Sequence, residues 1–213
     1  MKKGLFLVLE GGEGAGKSTQ ITTLKDRLPM LFPERDFVFT REPGGSPFAT
    51  EIRSLILSDS AKEASGHTML GLFMAARADH VEKIITPALT AGRIVICDRY
   101  LAATYAYQIV GQQHQELKEL YRAHMKHVPH PNLTLFLDIE PSLAQERIAL
   151  RTGEQTHFDM RDRDFHERIR TGFKEYFTDL PANQVTTIDA ARSVEEIQVE
   201  IERIISDRIR AVE

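Results

Sequence analysis

The sequence predicts an α/β sandwich, five short parallel strands with helices on both faces. Three observations carry that class. A glycine-rich phosphate loop, Gly11-Gly12-Glu13-Gly14-Ala15-Gly16-Lys17-Ser18-Thr19, follows the continuous apolar run Leu5-Phe6-Leu7-Val8-Leu9 and precedes Ile21, Leu24 and Leu28 at helical spacing. Four further strand-length runs recur along the chain with helical patterns between them. Two of those runs end in aspartate, Asp98 and Asp138, at the strand ends where ligands collect in parallel sheets.

The chain has 213 residues, enough for one domain with a sizeable core. It is 42% apolar and 27% charged, with net charge −4 and no long run of Lys or Arg. That balance argues against nucleic acid or an anionic membrane as the main partner. One cysteine, Cys97, excludes an internal disulfide and suits the cytoplasm. Met1-Lys2-Lys3 precedes only a strand-length run that ends at Glu10, so neither a signal peptide nor a membrane span is expected.

In the phosphate loop, glycines let backbone N–H groups turn inward around an anion. Lys17 reaches the β- and γ-phosphates, Ser18 offers a hydroxyl to Mg²⁺, and the following helix aims its positive end at the phosphates. A turn at 33–36 leads to the second strand, Phe37–Thr40, and then to the charged turn Arg41-Glu42-Pro43-Gly44-Gly45. By residue type alone Arg41 reads equally as a ligand or as a solvated loop arginine. Ile52, Leu55 and Ile56 predict a short helix, and Leu72, Phe73, Ala76, Val81 and Ile84 a longer one over about 68–89. Phe73 and Arg77 share a face of it and would suit a planar base, one by stacking and one by hydrogen bonding. The plainer reading, a core phenylalanine beside a surface arginine, is the stronger on residues alone.

Ile94–Cys97 is the third strand, ending in Asp98-Arg99-Tyr100, an arrangement that puts a carboxylate near Mg²⁺ with a cation beside it. Leu133–Leu137 is the fourth, and Asp138 is expected to cap the next helix, near Pro141. Helices are expected at 101–108, 114–127 and 141–151. His124, His127 and His130 invite a metal reading, but Pro129 and Pro131 break the helix that would align them. Residues 151–164 are dense in charge and without periodicity: a solvated loop or, beside a phosphate site, a lid. A helix bearing Phe165, Ile169 and Phe173 follows, then the strand Val185–Ile188. A capping box, Ser193 to Glu196, opens a last helix with Ile197, Ile201, Ile204 and Ile205 on its buried stripe.

These motifs, in this order, resemble the bacterial thymidylate kinases. The resemblance covers essentially the whole chain. It rests on Glu10 with the phosphate loop, Arg41–Gly45, Phe73-Met74-Ala75-Ala76-Arg77, Asp98-Arg99-Tyr100 and Ala106-Tyr107-Gln108. It implies a single P-loop kinase domain with a mobile lid at about 147–164. It also implies ATP as donor, Mg²⁺, dTMP as acceptor and a homodimer. By resemblance Phe73 stacks on thymine, Arg77 bonds the base, and Arg41 and Arg99 hold the acceptor phosphate. Asp98 lies near Mg²⁺, and Glu10 lies close to acceptor and metal. Tyr107 sits beside the deoxyribose, and Thr104, Gln108 and Asp159 belong to the acceptor pocket. Gly11 to Thr19 and Arg147 serve the donor, and Arg151 is a lid arginine. Ala15 stands where another subgroup carries its catalytic arginine, which fits a cation supplied from the lid. Three departures stand out. Ile109 and Val110 replace glycines, Thr156-His157-Phe158-Asp159 stands for an Asp-Arg-aromatic-Glu lid motif, and Phe173 replaces a frequent tyrosine.

The alternatives are a kinase for another nucleoside monophosphate or a deoxynucleoside, and a guanine-nucleotide switch. The switch needs an Asn-Lys-x-Asp element, and neither Asn132 nor Asn183 is followed by lysine.

Overall fold

The computed structural model describes residues 3–150, 156 and 158–212. Five parallel strands, β1 (Leu5–Glu10), β2 (Phe37–Arg41), β3 (Ile94–Asp98), β4 (Leu133–Asp138) and β5 (Val185–Asp189), form one sheet in the order β2-β3-β1-β4-β5. β1 is central, so the phosphate loop leaves the middle of the sheet. The register sets Leu9 beside Asp98, and Asp98 beside Arg41, so three strands end in a row at one edge.

Helices cover both faces, and the pleat of β1 explains why. Leu5, Leu7 and Leu9 point to one side, against Ile21, Leu24 and Leu28 of α1 (Lys17–Leu31) and Ile197, Ile201 and Ile205 of α9 (Val194–Arg210). Phe6 and Val8 point to the other side, against Val81, Ile85 and Leu101. That second layer holds α2 (Pro47–Ile56), α3 (Gly66–His80), α4 (Thr86–Thr90), α5 (Leu101–Thr104), α6 (Lys118–Met125) and α8 (Arg163–Thr178), and α7 (Pro141–Ala149) follows β4. α9 starts on the expected capping box: Ser193 N–H donates to Glu196 Oε2 at 3.0 Å, and Glu196 N–H returns to Ser193 Oγ at 3.3 Å. No helix among the described residues is long and apolar enough to cross a membrane.

Several expectations shift. The helix expected over 68–89 runs from Gly66 to Thr90, but its middle, Val81–Ile85, is a π-turn. The helix expected over 101–108 continues as a second π-segment, Tyr105–Gly111. Leu55 is exposed, because only Ile52 and Ile56 face the core. Asp138 does not cap α7, whose N-cap is Glu140 without a side-chain bond. Asp138 instead pairs with α8, 2.6 Å from Arg170 Nε and 3.1 Å from Lys174 Nζ. Both ends of the expected 147–164 lid belong to helices, α7 and α8, with Asp162 Oδ1 accepting Phe165 N–H at 2.8 Å to start α8.

Ile109 and Val110, two of the departures from the family pattern, are buried. α8 makes room for Val110 with Gly172, where a Cβ would lie 2.9 Å from the Val110 Cβ and from the Ala106 Cα. Phe173, the third departure, is fully buried against Phe136 and Phe177. Lys3 and Arg210 lie at the sheet edge away from the phosphate loop. Arg35 donates to the Lys3 carbonyl at 2.9 Å, and Arg210 lies 5.6 Å over the ring of Phe32, just beyond the far end of α1.

Candidate active site

A cleft of about 870 Å³ opens along the strand ends. The phosphate loop forms one wall. Gly14 has φ of 73°, and a Cβ there would sit 2.6 Å from the Ala144 carbonyl oxygen, so only glycine lets the loop pass α7. Gly16, also left-handed at φ 85°, is the N-cap of α1. Lys17 folds back over the loop, its Nζ donating to Gly11 O at 2.9 Å and Gly12 O at 3.0 Å. Burial, then repulsion from Arg99, pulls its pKa down to about 8. Ala15 is buried, and Ser18 and Thr19 are exposed on the first turn of α1.

At the end of β3, Asp98 borders the cleft, and its Oδ1 is buried with no hydrogen-bond partner among the described residues. Arg99 adopts φ of 65°, a left-handed conformation that costs a side-chain residue about 1 kcal/mol or more. The conformation delivers its guanidinium to Gly11 O and Glu13 Oε1, each at 2.8 Å, and over the Tyr107 ring at 4.9 Å. Tyr107 Oη donates to the same Glu13 oxygen at 3.1 Å. Burial opposes the Arg99 charge, but Glu13, Tyr107, Asp98 and Glu10 together outweigh it and hold the pKa above the ordinary range. Glu13, read as a donor-side loop residue, therefore ties the loop to Arg99 and Tyr107.

Arg41 is exposed at the end of β2 and borders the cleft with Arg53 of α2. Arg53 Nη1 donates to Pro43 O at 3.1 Å. Burial and then repulsion from Arg41 and Arg99 lower its pKa to about 10. Three guanidiniums that repel one another across a cleft form a site for a multivalent anion. Sequence reading missed Arg53. The signal was there: it lies one position after Ile52 on α2, off the apolar stripe and close behind the Arg41 turn.

Phe73 and Arg77 invert the plainer reading. Arg77 is the buried member, 1% exposed, whereas Phe73 is only half-buried and lies against the cleft one turn earlier. Arg77 Nε donates to Glu42 Oε2 at 2.7 Å, and its Nη2 donates to Thr104 Oγ1 at 2.7 Å and Tyr100 O at 3.0 Å. Its Nη1 has no partner among the described residues. Tyr107 is buried on the π-segment, edge-on to Phe158 at 5.7 Å. Gln108 is buried behind the cleft wall rather than on it, its Nε2 without a partner among the described residues.

Glu10 is also not on the wall. Its Oε1 accepts Tyr100 N–H at 2.9 Å and Ala103 N–H at 3.2 Å, which caps α5 from beneath. Burial, opposed chiefly by Arg99, raises its pKa to about 7. Its Oε2 is buried with no partner among the described residues.

On the other side of the cleft, Arg147 Nη1 donates to Ala190 O at 2.7 Å and so ties α7 to the loop before α9. Asp159 Oδ2 accepts from Thr156 N and Thr156 Oγ1, each at 2.7 Å, and Arg147 and Asp159 both border the cleft. Arg151 and His157 lie outside the described residues. His124, His127 and His130 do not border the cleft.

This arrangement can bring two anions together, hold a flat base by its edge and face, and place hard oxygen donors beside a phosphate loop. Known proteins resemble the chain in sequence and fold. A family model described as Thymidylate kinase matches residues 9–201. The chain is 38% identical over 210 residues to the thymidylate kinase of Caulobacter vibrioides, covering 98% of this chain and 99% of that one. It is 38% identical over 204 residues to that of Ruegeria pomeroyi, covering 95% and 94%. A crystal structure of thymidylate kinase from Ehrlichia chaffeensis superposes with a TM-score of 0.75 at 28% identity, over 96% of this chain and 99% of that one. The strand order, the cleft and these matches together place the chain in the thymidylate kinase family.

Proposed function

We propose that this enzyme transfers the γ-phosphoryl group of ATP to the 5′-phosphate of dTMP, giving dTDP and ADP. One observation carries the choice of acceptor: Arg77 is locked in the wall with Nη1 as its spare donor, beside the half-buried ring of Phe73. A guanidinium donates and cannot accept. It therefore selects a base edge with a carbonyl, as in thymine, over one with an amino group, as in cytosine. Phe73 supplies the stacking face.

The acceptor phosphate falls to Arg41, Arg53 and Arg99, and the donor phosphates to the loop N–H groups of residues 11 to 19 and to Lys17. Lys17 exchanges the carbonyls of Gly11 and Gly12 for phosphate oxygens. The acceptor phosphate is largely ionised at neutral pH, so transfer needs alignment and charge neutralisation rather than a strong base. Tyr107, held by Glu13 and Phe158, fills the space beside the sugar. The oxygens of Ser18 and Asp98, the latter with a spare buried Oδ1, suit Mg²⁺. Bound there, the ion would neutralise charge on the β- and γ-phosphates. Arg147 and Arg151 are assigned to the donor side, with residues 147–164 as its lid, and Thr104, Gln108 and Asp159 support the acceptor pocket. A homodimer and a cytoplasmic location belong to the same reading, the first testable by sedimentation.

An ADP-release assay with ATP and Mg²⁺ against dTMP, dUMP, dCMP, dGMP, AMP, UMP and thymidine tests the proposal. Turnover concentrated on dTMP is expected. Preference for dCMP or AMP would overturn the use of Arg77 while leaving the phosphate machinery in place.

A further inference from the structure

We infer that His80 and Glu42 are positioning residues that fix Arg77 against the acceptor base and join base reading to phosphate reading. Glu42 uses both oxygens. Oε2 accepts from Arg77 Nε at 2.7 Å, and Oε1 lies 3.0 Å from His80 Nδ1. His80 Nε2 lies 2.6 Å from Thr40 Oγ1. The tautomer with hydrogen on Nδ1 satisfies every partner: Nδ1–H donates to Glu42, and Nε2 accepts the Thr40 hydroxyl proton. The result is one unbroken chain, Arg77–Glu42–His80–Thr40. Arg77 and His80 are at i, i+3, so one face of α3 reaches Glu42 twice.

All of this is out of water. His80 is 0% exposed, Arg77 1% and Glu42 5%. A buried ion pair contributes little net stability by itself, and what it does supply is geometry. Here the geometry has a use. Thr40, Arg41, Glu42 and Pro43 are consecutive. Arg41 borders the phosphate end of the cleft, and Pro43 O accepts from Arg53 at 3.1 Å. The segment that steadies the base reader therefore also carries the groups that meet the phosphate. His80 staples it in place. A Cβ at Gly45 would stand 2.6 Å from Thr40 Oγ1 and run into the His80 ring, so the turn folds directly onto this pair. The base-to-phosphate span of the acceptor is thus set by one hydrogen-bonded unit made from β2, the turn and α3.

The inference rests on the proposal that Arg77 meets the acceptor base. The test measures KM and kcat for dTMP and dCMP, and KM for ATP, in His80→Leu, His80→Asn, Arg77→Ala and the His80→Leu/Arg77→Ala double variant. His80→Leu should raise the dTMP KM about tenfold and lower the dTMP preference over dCMP by a similar factor, acting through KM more than kcat. His80→Asn keeps a donor near the Nδ1 position and should recover dTMP selectivity to within about threefold of wild type. The double variant should be no less selective than Arg77→Ala alone, because His80 acts through Arg77. Equal behaviour of the Leu and Asn variants, or equal losses in the dTMP and ATP constants, would overturn the inference. Should His80→Leu not fold, Thr40→Val decides: an unchanged dTMP KM overturns it and a several-fold rise supports it. Full selectivity in Arg77→Ala would instead overturn the underlying reading of Arg77.

Discussion

The two sides of the cleft are built differently. On the side proposed for the acceptor, two of the groups are buried side chains held by others: Arg77 by Glu42 and Thr104, Tyr107 by Glu13 and the Phe158 edge. On the side proposed for the donor, the surface is backbone, glycine and solvent-facing hydroxyls, with Lys17 resting on its own loop carbonyls. The difference follows from the ligands. A base edge is told from another by one donor or acceptor, which needs a fixed partner. A polyphosphate is recognised by charge, which a flexible lysine and a row of N–H groups meet without exact placement. Mutation should therefore damage stability and binding together on one side, and chemistry without stability on the other.

Arg77→Ala should break the acceptor side most severely. It leaves Glu42 buried beside an empty space and should cost about 3–5 kcal/mol of stability in urea unfolding, with at least about a tenfold rise in dTMP KM. A cost under about 1 kcal/mol would mean the pair is not buried in solution. Lys17→Ala should lower turnover on the order of 10²-fold, yet leave the melting temperature within a few degrees, since burial already strains its charge. A large drop in both would erase the contrast.

Glu10 sharpens the comparison through pH. Its pKa rises from 4.5 to about 7 on folding, so the folded chain holds the proton more tightly. The associated stability is present in full below pH 4.5 and is lost as pH climbs through 7, by up to about 3 kcal/mol. Glu10→Gln should flatten that slope when unfolding is compared at pH 5 and pH 8, and parallel curves for wild type and variant would refute the burial argument. Gly172→Ala should cost about 1–3 kcal/mol by forcing a methyl group onto Val110, with partial rescue by Val110→Ala. Arg147→Ala should have the smallest effect, an ATP KM raised about threefold with dTMP KM unmoved.

The fold was legible because its signals are local. β1 and β3 are continuous apolar runs, the phosphate loop lies between a strand and a helix, and the Ser193–Glu196 box marks where α9 begins. What stayed hidden depends on contacts between distant segments. The burial of Arg77 cannot be read from α3, because its partner Glu42 is 35 residues away. Asp138 reads as a cap until Arg170, 32 residues later, arrives beside it. The π-segments at Val81–Ile85 and Tyr105–Gly111 change which face a side chain takes without changing the apolar pattern that predicts a helix. Glu10 likewise takes its place from distant contacts: its Oε1 accepts the N–H groups of Tyr100 and Ala103, 90 and 93 residues away.

Parallel strands put every carboxyl end on one edge, and the contacts of Lys3 and Arg210 lie at the other. Lys3 is bound to Arg35 there, and Arg210 covers Phe32 beside it. A tether attached at Lys3 or Arg210 would pull on the edge opposite the cleft. Held on a solid support through either of those side chains, the enzyme would keep its cleft facing outward.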